Sequence, residues 1–178
     1  MRNNTVNLKP KSKKGFTIIE ITVALVVIAI LSATLLPRFF EQQKASQAKS
    51  EFDKITELRQ RIESLYDGDL DYDGVATTWL DQLPKSFTKK GSNVYSVWKN
   101  LITVGEEGSN GYYIEYRKVP KGIACTEFAK LGRDAGWAEI KIDSSSVLAE
   151  TSTQDIAKFC TASTSTAVVD SFRFIHRT

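Results

Sequence analysis

Residues that carry chemistry are scarce in this chain of 178 residues. It has one histidine, His176, two cysteines, one methionine and four prolines. One histidine and two distant cysteines lack the close spacing of a zinc site. No glycine-rich phosphate loop and no G-x-S-x-G elbow occurs. The densest run of carboxylates lies in one Asp-Gly turn, where nothing holds their geometry. His176 falls in the last strand-like segment and is expected as an exposed edge residue rather than a base. Together these absences argue against an enzyme, and no cofactor is expected. A strong excess of one charge is also missing, with 24 basic against 21 acidic side chains. Five of the basic residues, Arg2, Lys9, Lys11, Lys13 and Lys14, fall in the first 15 positions, which hold no acid. Setting those five aside leaves 19 basic against 21 acidic side chains, a net of −2. The basic pI therefore points to no nucleic-acid surface, and no nucleic-acid partner is expected.

One thing the chain has in quantity is an uninterrupted apolar run. From Ile21 to Pro37 there is no charge, and 17 residues make about 25 Å of helix, just short of a roughly 30 Å hydrocarbon core. Counted from Phe16, the run is long enough to span a membrane. A helix apolar on all sides could be buried in a large protein, but only about 110 residues follow the helical part of this one. A secretory signal would be shorter and would end in small residues, whereas this run ends in Leu-Pro-Arg-Phe-Phe. A membrane anchor fits better, with the basic leader on the cytoplasmic side. Glu20 is then the anomaly, because an ionisable group in such a segment costs at least a few kcal/mol and needs a named partner.

The order basic leader, Gly15, Phe16-Thr-x-x-Glu20, apolar run resembles the class III signal of type IV pilins and pseudopilins. The resemblance implies that a prepilin peptidase cuts between Gly15 and Phe16 and that the new N-terminus at Phe16 is N-methylated. Glu20, five residues into the mature chain, matches the assembly residue. Pro37, at mature position 22, falls where many type IV pilins carry proline. Proline lacks an N–H and clashes with the carbonyl four residues back, so a kink or local melting of the helix is expected there. The implied organisation is a cleaved leader (1–15), a transmembrane and filament-core helix (16–40) and a globular head (41–178).

Within the head, residues 41–66 read as the amphipathic continuation of one long helix from residue 16. Ala45, Ala48, Phe52, Ile55, Leu58, Ile62 and Leu65 recur at spacings of three and four. Lys44, Lys49, Glu51, Glu57 and Arg61 are assigned to the opposite, solvated face. The stripe suits packing on the chain's own sheet, with a short coiled-coil seam as the alternative. Asp67-Gly-Asp-Leu-Asp-Tyr-Asp-Gly74 ends the helix. Asp69, Asp71, Asp73 and Gly74 match positions 1, 3, 5 and 6 of a calcium loop, but Leu80 stands where the bidentate acid belongs. A solvated acidic turn is the other reading.

A short helix at 77–83, a basic turn at 86–91 and strands at 94–98 and 101–105 follow. The Asn-Gly turn before Gly111 marks a hairpin into a strand at 112–119. A helix is expected at 125–134 and a strand at 137–142. A Ser-rich loop at 143–153, a helical turn at 155–160, a loop at 163–166 and a strand at 168–177 complete the chain. Cys125 and Cys160 lie past the anchor and hence outside the cytoplasm. There a single disulfide is permitted, closing a loop of about 35 residues worth roughly 3–4 kcal/mol; two buried thiols are the alternative.

Leu-Pro at 83–84, Asn-Val-Tyr-Ser-Val-Trp at 93–98, Gly-Tyr-Tyr-Ile-Glu-Tyr at 111–116 and Val-Pro-Lys-Gly-Ile-Ala-Cys at 119–125 resemble the sheet of type IVb pilins. Phe16 is the type IVa residue at its position, and the leader length is intermediate. The resemblance implies an α+β pilin roll, with a long N-terminal helix on an antiparallel sheet. It also implies a major structural subunit of a type IV pilus, self-assembling into a helical homopolymer for adhesion, aggregation, motility or conjugation. A minor pilin or a type II secretion pseudopilin is the alternative. Implied partners are prepilin peptidase, the inner-membrane assembly machinery and an outer-membrane secretin. The precursor is expected in the bacterial inner membrane and the product in a surface pilus.

Overall fold

The computed structural model describes residues 17–69, 71–108, 110–162 and 167–177. The chain divides into two compact units, one ending at Phe39 and one spanning Phe40–Thr178. The expected cleavage and methylation positions, Gly15 and Phe16, and the loop at 163–166 lie outside the described residues. Helix α1 (Ile18–Leu65) supplies the described secondary structure of the first unit and opens the second. Helical backbone runs through Pro37 without interruption.

In the second unit, the three-and-four spacing of α1 becomes a buried stripe. Ala48, Ile55, Leu58 and Ile62 are fully buried and Phe52 nearly so. Phe52 packs against Phe128 and Phe174, with ring centroids 6.3 and 5.9 Å away. Each fully buried large apolar side chain contributes roughly 1.5–3 kcal/mol. Ile55, Leu58 and Ile62, with the nearly buried Phe52, rival the roughly 5–15 kcal/mol that holds a whole domain together. This stripe is therefore committed to the chain's own sheet rather than to a coiled-coil partner. Two positions depart from expectation. Leu65 is exposed, because the helix stops there: Gly68 at φ 95° breaks it into the acidic turn. Glu51, assigned to the solvated face, is fully buried.

After the short α2 (Val75–Thr78) come β1 (Thr88–Lys90), β2 (Asn93–Tyr95), β3 (Leu101–Glu106) and β4 (Gly111–Pro120). Then follow α3 (Ile123–Asp134), β5 (Glu139–Ile142), β6 (Ser145–Val147), α4 (Thr153–Thr161) and β7 (Val168–Arg177). One seven-stranded sheet runs in the order β1-β2-β3-β4-β7-β5-β6, and every pairing is antiparallel. The last strand lies inside the sheet, between β4 and β5. Its alternation puts Phe172 and Phe174 opposite Tyr116 and Ile114 on the core side. The basic turn expected at 86–91 contains β1, and the Ser-rich loop expected at 143–153 contains β6. Both are three-residue edge strands, where polar and charged side chains discourage pairing with other chains.

Cys125 and Cys160 are joined in a disulfide, with Cα atoms 5.7 Å apart, and both are fully buried. The bond ties the first turn of α3 to the last full turn of α4, two helices that no strand pairing connects. Ser152 caps α4, its hydroxyl accepting the Asp155 N–H at 3.2 Å. A Cys160→Ser chain is expected to unfold about 3–4 kcal/mol more easily, from loop-closure entropy over the 35-residue separation. Urea midpoints of the two proteins measured without reductant check this, and equal midpoints would refute it.

Candidate assembly site

The first half of α1 holds no core. Its large apolar side chains are roughly half to four-fifths exposed, from Val27 at 49% to Ile18 at 82%. The helix passes for a membrane span by length and hydropathy. Such a surface needs lipid or other apolar helices around it. The helix starts at a cap that the sequence reading missed. Thr17 Oγ1 accepts the Glu20 backbone N–H at 3.2 Å, satisfying one of the donors left free in a first turn. The signal was present, because Thr17-Ile-Ile-Glu20 has the Thr-x-x-Glu form of a capping box. Glu20 also sits where the positive end of the helix dipole favours an acid. Further along the same surface the Thr22 and Thr34 hydroxyls donate to the carbonyls of Ile19 at 2.8 Å and Leu31 at 3.0 Å.

The head contains two polar sites that sequence reading did not find. In the first, Glu51 Oε1 accepts the Tyr116 hydroxyl at 3.2 Å, and Oε2 accepts the Val97 N–H at 3.1 Å and Lys54 Nζ at 3.0 Å. This carboxylate ties α1 to β4 and to the turn after β2. Burial first, and the Glu51 charge second, push the Tyr116 phenol well above its usual range. In the second site, His176 is neither exposed nor on an edge. It lies opposite Tyr112 in the interior strand β7 with its side chain 14% exposed. Its Nδ1 is 3.3 Å from Glu63 Oε1 and 3.5 Å from Arg59 Nη2. Arg59 also lies over the Trp137 ring at 4.8 Å.

Burial is the main cause that lowers the His176 pKa below 6.5; Glu63 opposes it and Arg59 reinforces it. A folded-state pKa below the unfolded one means the folded form prefers neutral imidazole. That contribution to stability is complete above the ordinary histidine range and is lost as pH falls through the folded value. His176→Gln is expected to flatten the decline of Tm on acidification just below pH 6.5. An unchanged slope would show that another group governs it.

On the outward face of the sheet Glu115 is buried, accepting the Ser171 hydroxyl at 2.7 Å. Burial alone would raise its pKa. The Ser171 hydrogen bond and the Arg173 and Arg117 charges outweigh it and hold the carboxylate low.

Asp69, Asp71 and Asp73 are not brought into a shared ligand set, and no three metal-ligating side chains converge among the described residues. The turn is organised by backbone contacts instead. The Asp73 N–H donates to Asp71 Oδ1 at 3.3 Å, the Tyr66 hydroxyl donates to the Asp73 carbonyl at 3.0 Å, and the Gly74 N–H donates to Glu106 Oε1 at 3.0 Å. At the other end of the head a groove of about 630 Å³ is lined by Lys54, Lys90, Tyr95, Ser96 and Lys99 among others.

Residues 45–171 match the PilS family (PilS N terminal), and residues 10–36 match the prokaryotic N-terminal methylation motif. The structure is similar to the crystal structure of type IV b pilin from Salmonella typhi, with a TM-score of 0.56 at 20% identity. That similarity covers 72% of this chain and 98% of the other, and it shows a shared fold. No curated protein matches the chain.

Proposed function

Because the chain belongs to the PilS family of type IV pilins, we propose that it is the major structural subunit of a type IV pilus, serving adhesion, aggregation, motility or conjugation. The precursor sits in the bacterial inner membrane by its apolar helix. Prepilin peptidase removes residues 1–15, and the amino group of Phe16 becomes the new terminus and is methylated. The inner-membrane machinery then draws the helix out of lipid into a filament core that leaves through an outer-membrane secretin.

The observation that carries this reading is Glu20, one carboxylate on a helix otherwise uncharged to Pro37 and with no core of its own. Packing such helices together buries Glu20, and a buried charge needs a partner. The nearest unavoidable cation in an assembly of copies is the cut N-terminus of a neighbour. Pairing Glu20 with Phe16 on the next subunit satisfies both charges in one register.

Filaments sheared from cells expressing the chain test the proposal. The chain is expected as the dominant component, with a mass that starts at Phe16 and carries one added methyl group. Gly15→Glu is expected to leave the heavier precursor in the membrane fraction, and an unchanged mature mass would refute the cut site. Trace amounts in the sheared fraction would instead support a minor pilin or a type II secretion pseudopilin. The head of well over a hundred residues and its disulfide-closed C-terminal region favour the major subunit.

A further inference from the structure

We propose that the lysine-lined groove beside β1 and β2 receives the Asp67–Asp73 turn of a second copy, so that neighbouring heads dock end to end. The inference rests on the filament-subunit reading and adds to it a contact between heads.

The first observation is charge segregation. From Gln82 to Gly105 the chain holds four lysines and no acid; from Tyr66 to Pro84 it holds five aspartates and no base. Lys85, Lys89, Lys90 and Lys99 are all exposed. So are Asp67, Asp69, Asp71 and Asp73. None of these eight makes an ion pair among the described residues.

The second observation is that the groove is built. Lys99 has a positive φ of 62°, set by a tight turn in which its N–H donates to the Ser96 carbonyl at 2.9 Å. The Ser96 N–H in turn donates to the Asn100 carbonyl at 2.8 Å. Val97 in the same turn is anchored to the buried Glu51. Lys54 in the groove is already neutralised by Glu51 at 3.0 Å. The net positive charge therefore comes from Lys90 and Lys99, held by a fixed backbone.

The third observation identifies the partner. The groove's turn leads into β3 at Leu101, whereas the acidic turn is tied to Glu106 at the other end of that strand. Along α1, Lys54 and Tyr66 are separated by about 18 Å of helix. One head cannot bring these two charge sets together, so the turn of one copy meets the groove of another. A contact between two different patches is heterologous, and when its rotation does not close it generates a helical filament rather than a dimer. Charge complementarity of this kind sets register and steers approach, and it weakens in salt.

The test uses the full chain in cells that make its filaments. Lys90→Glu with Lys99→Glu is expected to cut sheared filament roughly fivefold, given the small energy of each exposed pair. Adding Asp69→Lys and Asp71→Lys to the same chain is expected to restore at least half of it. In a second arm, Lys99→Cys with Asp71→Cys is expected to give an oxidant-dependent ladder of linked subunits from filaments, absent from either single variant. Normal yield from the reversed groove, or no ladder from intact filaments, overturns the contact. If the reversed groove instead assembles normally and loses only retention on dextran sulfate, the lysines serve a foreign polyanion and the proposal fails. Absence of filaments from the unaltered chain would overturn the subunit reading itself.

Discussion

A Glu20→Ala chain is expected to be cut and membrane-inserted at the normal level and to yield no filaments. The two outcomes separate because they use different parts of the helix. The proposed cleavage concerns Gly15 and Phe16, and the apolar run from Ile21 to Pro37 is untouched by the substitution. In lipid the loss of a carboxylate even favours insertion, since an ionised acid costs at least a few kcal/mol there. Assembly is different. In the proposed pairing, alanine at position 20 sends the ammonium of Phe16 on the neighbouring subunit into the filament core without a counter-charge. Leaving one member of a buried pair alone costs about 3–5 kcal/mol, which lowers the affinity for each added subunit by more than a hundredfold, at 1.4 kcal/mol per factor of ten. The penalty recurs at every addition, so growth stops rather than slows. Sheared filament and mature membrane-bound subunit, measured in the same cells, check both halves. Abundant filaments from the alanine chain would refute the pairing. Glu20→Asp offers a finer comparison, because a shorter carboxylate keeps the charge while withdrawing it from the neighbour, and intermediate yield is expected.

The sequence disclosed those features that depend on neighbours in the chain. The run after Glu20, the stripe from Ala48 to Ile62 and the Asn-Gly hairpin before β4 are periodic or local signals, and each appears in the structure within a few residues of its expected place. The features that were missed depend on partners far away. Glu51 and Arg59 lie three and four residues from stripe members, so spacing alone places both beside the buried face; the charge of Glu51 argued for the solvated one. What overrides the charge of Glu51 is Tyr116 and Val97, and Arg59 is held by Trp137, none of them close in sequence. His176 looked like an edge residue because the closing strand of a chain is easily placed at a margin. Here β7 inserts between β4 and β5, so the strand added last in sequence is paired on both sides. The polar edge strands β1 and β6 failed for the opposite reason: with one paired side each, they need no apolar pattern. The Thr17 cap was readable and was overlooked beside the carboxylate it precedes.

Glu51 carries the second large expectation, and it concerns the head alone. In Glu51→Ala the Tyr116 hydroxyl, fully buried, and the Val97 N–H both lose their acceptor. An orphaned buried donor costs about 1–3 kcal/mol, and the space vacated by the side chain adds a further penalty. A total of roughly 3–6 kcal/mol approaches the whole stability of a domain this size. Glu51→Gln distinguishes lost hydrogen bonds from lost volume. Its carboxamide oxygen can accept from the Val97 N–H or from the Tyr116 hydroxyl but not from both; with the oxygen on Val97, the amide NH2 can donate to the Tyr116 oxygen, but the hydroxyl hydrogen is left without an acceptor. Its expected loss, about 1–3 kcal/mol, is one orphaned donor. Tyr116→Phe removes a donor instead of orphaning one and is expected to cost least. If the interaction is real, Tyr116→Phe in the Glu51→Ala background costs less than it does alone, since the hydroxyl there has nothing to bond. Urea unfolding of the four proteins checks the cycle, and additive losses would show that Glu51 and Tyr116 do not act together. The same substitution reaches the surface. Val97 sits in the turn that holds Lys99 at the groove, so a chain that folds with glutamine at position 51 is expected to hold that lysine less firmly and to assemble less well than its stability alone would dictate.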